Sequence, residues 1–123
     1  MKIGIIGVTV VCIVGLTWYM YRLTPLASTS LDGAMTITLT QNGFDPDVIT
    51  IKQGTKVIFK TTASRVFWPA SNLHPDHTIY SAFDPKHPIR PDESWSFVFE
   101  KVGTWGFHDH LRSYFVGKIQ VLP

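Results

Sequence analysis

Cysteine is nearly absent from this sequence. Of 123 residues only Cys12 carries a thiol, and it lies inside an uncharged N-terminal run. Everything after it is free of cysteine, which excludes a disulfide framework and thiolate chemistry from the bulk of the chain. Charge is also scarce: Asp, Glu, Lys and Arg make up 16% of the sequence against 45% hydrophobic residues, a balance that excludes a disordered chain. No acidic residue precedes Asp32, and from there on nine Lys/Arg balance nine Asp/Glu. A neutral domain lacks the basic footprint that phosphate backbones require, so nucleic acid is not an expected partner. No segment beyond residue 22 repeats its apolar residues every 3.6 positions, which leaves strands as the expected elements. A chain this short has room for one compact domain and a small appendage.

The appendage is the N-terminus. From Ile3 to Met20 the chain reads IGIIGVTVVCIVGLTWYM without a charge, and a helix of that length covers about 27 Å, close to the hydrocarbon thickness of a bilayer. Residues 1–22 are therefore expected to form one transmembrane helix. Trp18, Tyr19 and Tyr21 fall at one end, where amphipathic rings favour the headgroup level, and Lys2 marks the other end as cytoplasmic. The expected location is a cell membrane, crossed once, with the C-terminal domain on the extracytoplasmic side, periplasmic or extracellular. The alternative is a cleaved signal segment, but Pro25-Leu26-Ala27-Ser28 fits the small-x-small cleavage pattern poorly. Cys12 follows Val11 rather than a small residue, and it reads as a small hydrophobe in the helix. Residues 23–34, LTPLASTSLDGA, have no periodicity and read as a linker.

Alternation begins at Met35, and residues 35–123 form the expected domain. Met35, Ile37 and Leu39 share one face while Thr36, Thr38 and Thr40 share the other. Val48-Ile49-Thr50-Ile51 forms a second run after the Asn42-Gly43 turn, and Lys56 to Thr61 a third after Gln53-Gly54. Trp95, Phe97 and Phe99 point one way in the next, and Thr104 to His108 with Gly117 to Leu122 complete the set. Short strands with frequent Gly and Pro turns predict an all-β sandwich of two antiparallel sheets. Between them lies residues 68–92, WPASNLHPDHTIYSAFDPKHPIRPD, a connection with five prolines and three histidines. Structureless loops of that length are uncommon unless they carry function.

All five histidines lie between His74 and His110. His74-Pro75-Asp76-His77 sits in the long loop, where proline narrows the backbone and lowers the entropy lost on fixing two rings. His108-Asp109-His110 closes a strand, where residues i and i+2 project to one face about 7 Å apart. Two such pairs at strand ends can converge on one cation, and His74, His77, His108 and His110 are the candidate ligands. Imidazole suits zinc, copper, nickel and iron, whereas calcium and magnesium prefer oxygen. Donor type alone does not choose between zinc and copper. His87, between Lys86 and Pro88, reads as a surface residue, and Asp109 as a brace behind the ligands or a solvated group.

Several stretches together are similar to the cupredoxins: Gly43-Phe44-Asp45-Pro46 through Gly54-Thr55-Lys56-Val57, and Val102-Gly103-Thr104-Trp105-Gly106-Phe107-His108 with Gly117-Lys118-Ile119. The likeness covers roughly residues 35–122 and extends to small bacterial cupredoxin-like proteins carrying W-P-A-S-N, H-P-x-H and H-D-H, as Trp68 to Asn72, His74 to His77 and His108 to His110 do here. The resemblance implies a Greek-key β-sandwich with a copper site at one end. A type 1 blue centre uses a cysteine thiolate, two histidines and a weak axial methionine, and this domain has neither sulfur ligand: no methionine follows Met35. The earlier histidine of blue-copper members would fall near Phe67.

The leading expectation is thus a membrane-anchored, extracytoplasmic copper-binding protein that acts in electron transfer or copper handling, with a redox or copper-donor protein as partner, rather than an enzyme. The alternatives are a metal-dependent enzyme, copper or zinc with an open position and Asp76, Asp84, Asp109 or Tyr80 as helpers, and a structural zinc module. Trp68, Trp95 and Trp105 are expected to pack core and site walls. Arg65 and Arg90 are expected to brace the loop through Asp84 or Asp92. Tyr114-Phe115 is expected either to form an exposed lip or to cover the end of the core.

Overall fold

Alternating residues along most of the longer strands divide into an inward and an outward set, and the inward set joins two facing sheets. The computed structural model describes residues 33–123; the helix expected over 1–22 and the linker as far as residue 32 lie outside them. Eight strands follow in order: β1 (Met35–Leu39), β2 (Phe44–Asp45), β3 (Val48–Lys52), β4 (Thr55–Thr61), β5 (Pro69–Ser71), β6 (Trp95–Phe99), β7 (Gly103–Asp109) and β8 (Arg112–Leu122). No helix among the described residues is long and apolar enough to cross a membrane. One sheet has the order β2-β1-β4-β6 and the other β3-β8-β7-β5.

The sheets are mixed, which corrects the antiparallel expectation. β1 runs parallel to β4, with Met35 opposite Val57, and β3 runs parallel to β8, with Val48 opposite Lys118. Parallel neighbours cannot be joined by a hairpin, so local turn chemistry carries no trace of these pairings. The strand β5 also escapes sequence reading, because Pro69-Ala70-Ser71 has neither alternation nor β-branching. It holds the edge beside β7, Pro69 facing Asp109 and Ser71 facing Phe107, and an edge position tolerates a residue without an N–H.

Between the sheets, Ile37, Leu39, Ile49, Ile51, Val57, Ile119 and Val121 meet five fully buried phenylalanines, Phe59, Phe67, Phe83, Phe99 and Phe107. Phe83 comes from the long loop rather than from a strand. Its ring stacks on Trp95 at 5.8 Å and meets the edge of Phe99 at 5.0 Å, so the connection that carries His74 and His77 is pinned to the core by apolar area. Phe67 sits in the core and pairs its backbone with Ile89, closing the loop at its base. A Cβ on Gly117 would lie 2.3 Å from the Phe107 ring and 2.8 Å from the Asp47 carbonyl, which explains the absence of a side chain there.

Candidate metal centre

Two backbone devices bring the histidines together at one end of the sandwich. β7 delivers His108 opposite Ala70 of β5, and the ladder then shifts register between His108 and Asp109. His110 lies in the turn that leads into β8, not two residues along a strand, and its N–H donates to the Trp68 carbonyl at 2.7 Å. The two rings are thus placed across a register shift at the strand end rather than by simple alternation. The second device is the segment after β5. The Ile79 N–H donates to the Asn72 carbonyl at 2.8 Å and the His77 N–H to the Leu73 carbonyl at 2.6 Å. This turn holds His77 at a φ of 52°, a left-handed conformation that histidine enters more readily than most residues.

The result is a cluster in which one ring nitrogen from each of His74, His77, His108 and His110 lies within 4.8 Å of the other three. His77 and His108 are buried, His110 is half-buried and His74 is exposed. The closest approaches are His110 Nδ1 to His77 Nε2 at 3.0 Å and His74 Nδ1 to His108 Nε2 at 3.2 Å. Imidazole–metal bonds of about 2.0–2.1 Å would set neighbouring nitrogens about 3 Å apart and opposite ones about 4 Å apart. The cluster therefore fits a single cation, with sub-ångström contraction of its widest separation.

Fixed acceptors turn the two buried rings. His108 Nδ1 donates to Asn72 Oδ1 at 3.0 Å, and His77 Nδ1 to Asp84 Oδ2 at 2.6 Å. Both rings thereby present a bare Nε2 to the cluster. Asp84 also accepts from the Trp68 indole at 2.8 Å, the Lys86 N–H at 2.8 Å and Lys86 Nζ at 2.9 Å. Burial pushes this carboxyl up, but the hydrogen bonds from Lys86, His77 and Trp68 outweigh it and hold Asp84 well below the usual carboxylate range. Burial, reinforced by the surrounding His77, His74 and His110 rings, lowers His108 to about 4. Burial, with His77 and His74, lowers His110 as well. Metal ligands must be unprotonated, and these shifts favour that state.

All four predicted ligands are brought together, and His87 is not: it is exposed and bonds only the Pro88 carbonyl, at 3.1 Å. Asp109 is a brace, though for the backbone rather than for a ring. Fully buried, it accepts from the Trp68 N–H at 2.9 Å and from Arg112 Nε at 2.8 Å, while Arg112 reaches on to the Val66 carbonyl at 2.7 Å. Trp68 walls the cluster with its ring 4.5 Å from that of His110, Trp95 packs on core phenylalanines, and Trp105 packs on Tyr80.

The expected loop braces differ: among the described residues, Asp84 pairs with His77 and Lys86, and Arg65 and Arg90 form no ion pair with Asp84 or Asp92. Of the suggested catalytic helpers, Asp84 and Asp109 are saturated with donors, Tyr80 is buried in the core, and Asp76 is exposed. Phe115 packs against the core while Tyr114 stays exposed. Sequence reading missed the roles of Asn72 and Asp84, since neither is spaced regularly from its histidine; only a shared loop connects Asp84 with His77.

The chain matches no protein-family model and no curated protein sequence. Solved structures are similar in fold. A purple cupredoxin from Nitrosopumilus maritimus superposes with a TM-score of 0.63 at 19% identity, over 72% of this chain and 99% of that one. The Cu(I) form of an amicyanin mutant gives 0.63 at 16% identity, over 76% of this chain and 86% of its own. An oxidised amicyanin mutant gives 0.62 at the same identity and coverage. The described chain is, by its fold, a cupredoxin-like β-sandwich, and it carries a cluster of the four histidines that the sequence offered as ligands of one cation.

Proposed function

We propose that His74, His77, His108 and His110 hold one copper ion, and that the protein is a membrane-anchored, extracytoplasmic electron carrier that exchanges electrons or copper with a protein partner. The observation that carries this reading is the convergence of four ring nitrogens within 4.8 Å on a cupredoxin-like sandwich without sulfur ligands. Copper would supply one-electron exchange, since nitrogen-ligated copper can cycle between Cu(I) and Cu(II). The chain's own part is to hold the donors ready. Asp84 and Asn72 orient the buried rings, Trp68 covers one side, and the exposed His74 ring gives a partner close approach to the centre. The uncharged run from Ile3 to Met20, followed by a linker, supports tethering to the outer face of a membrane.

A structural zinc finds less support. The loop is tied to the sandwich by its own backbone bonds and by Phe83, ties that need no cation. Copper titration of the purified protein, followed by voltammetry, tests the proposal. One equivalent bound, with a reversible one-electron couple, is expected. Failure to bind copper, or a bound ion with no reversible couple, would contradict it.

A further inference from the structure

The bond between His77 and Asp84 is one of four that converge on a single buried carboxylate, and the identity of the other three donors decides what can replace it. Oδ1 accepts from the Trp68 indole N–H and from the Lys86 backbone N–H, both at 2.8 Å. Neither donor can become an acceptor. Oδ2 accepts from His77 Nδ1 at 2.6 Å and from Lys86 Nζ at 2.9 Å. The ionised carboxylate offers only lone pairs on both oxygens, so His77 must carry its proton on Nδ1 and leave Nε2 bare toward the cluster.

We infer that Asp84 is a positioning residue that locks the tautomer of His77, and that its amide isostere would invert the lock. In Asp84→Asn the one remaining oxygen has to stay with the two fixed N–H donors of Trp68 and Lys86; turning the amide over would set its NH2 against both of them in a buried place. The NH2 then faces His77 Nδ1. The ring accepts there, its proton moves to Nε2, and that proton points at the position a cation would occupy. Lys86 Nζ loses its oxygen but belongs to a side chain 69% exposed, so it returns to water. Shape and volume are preserved while the donor atom is lost, which distinguishes this role from packing.

The affinity consequence rests on the copper reading above; the tautomer lock does not. Nitrogen-resolved NMR of the histidine rings in the metal-free protein at pH 8 reads the lock directly. Wild type is expected to show His77 protonated on Nδ1, and Asp84→Asn to show it on Nε2, with Cu(II) affinity lowered about 10- to 100-fold. Wild-type protein protonated on Nε2 would overturn the inference without recourse to any variant, as would a folded variant that keeps Nδ1–H and binds copper unchanged. Reversed protonation in a protein that binds no copper even as wild type would uphold the lock and remove the proposed function instead.

Discussion

At the scale of single residues, the four-histidine cluster depends on groups outside it. Asn72 holds His108, and Gly106 makes room for Asn72: a Cβ on Gly106 would lie 2.6 Å from Asn72 Nδ2. Gly106→Ala is therefore expected to push the amide off His108 and weaken copper binding by about tenfold, read by titration, while the fold remains by circular dichroism. Protons act on the same ring. His108 lies at about 4 in the folded protein against an ordinary value of 6.5, so the unfolded chain binds more protons between those values. Stability of the metal-free protein therefore falls as pH drops through that window, and this ring adds no further loss below it. At about 1.4 kcal/mol per pH unit the contribution is at most about 3 kcal/mol. Urea unfolding at pH 7 and pH 4.5 checks this: the midpoint should fall, and fall less in His108→Gln. A midpoint that rises on acidification would contradict it.

At the scale of elements, the connection between β4 and β6, which carries His74 and His77, is fastened by the pairing of β5 with β7 and at three further places. Phe67 pairs with Ile89 at its base, Phe83 enters the core, and Asp109 with Arg112 ties Trp68 and Val66 to the end of β7. Removing the Phe83 ring is expected to cost about 3–5 kcal/mol and to loosen the neighbouring Asp84, so Phe83→Ala should lower both the denaturation midpoint and copper affinity. Retained affinity after that loss of stability would show the connection to be positioned without the core.

The strands whose side chains alternate were legible, because half-buried faces write themselves as period two: Ile37 with Leu39, Ile49 with Ile51, and Phe99 at the end of its aromatic row are all inside. The two-residue β2, the proline-led β5, the register shift beside Asp109 and the parallel pairings were not, since each is decided by distant backbone partners rather than by local residue type. The two histidine pairs and their meeting at one point were legible, but the means of that meeting was not. It runs through that register shift and through Asn72 and Asp84, whose spacing from their rings is irregular.

At the scale of the whole molecule, the proposed copper binding is expected to couple to folding. A cation that binds the folded cluster at 100 times its Kd adds about 2.7 kcal/mol of stability, so copper should raise the melting temperature of the protein. His87→Ala should keep that rise in full, its ring being exposed and outside the cluster, whereas His77→Ala should lose most of it; equal losses in the two would contradict a single shared site. The central claim is that four imidazoles from two distant segments surround one ion, and the most direct measurement is electron paramagnetic resonance of the Cu(II)-loaded protein with resolved nitrogen couplings. Four equatorial or near-equatorial imidazole nitrogens, falling to three in His74→Ala, is the predicted result. Two nitrogens in wild type, or a count that His74→Ala leaves unchanged, would contradict the account.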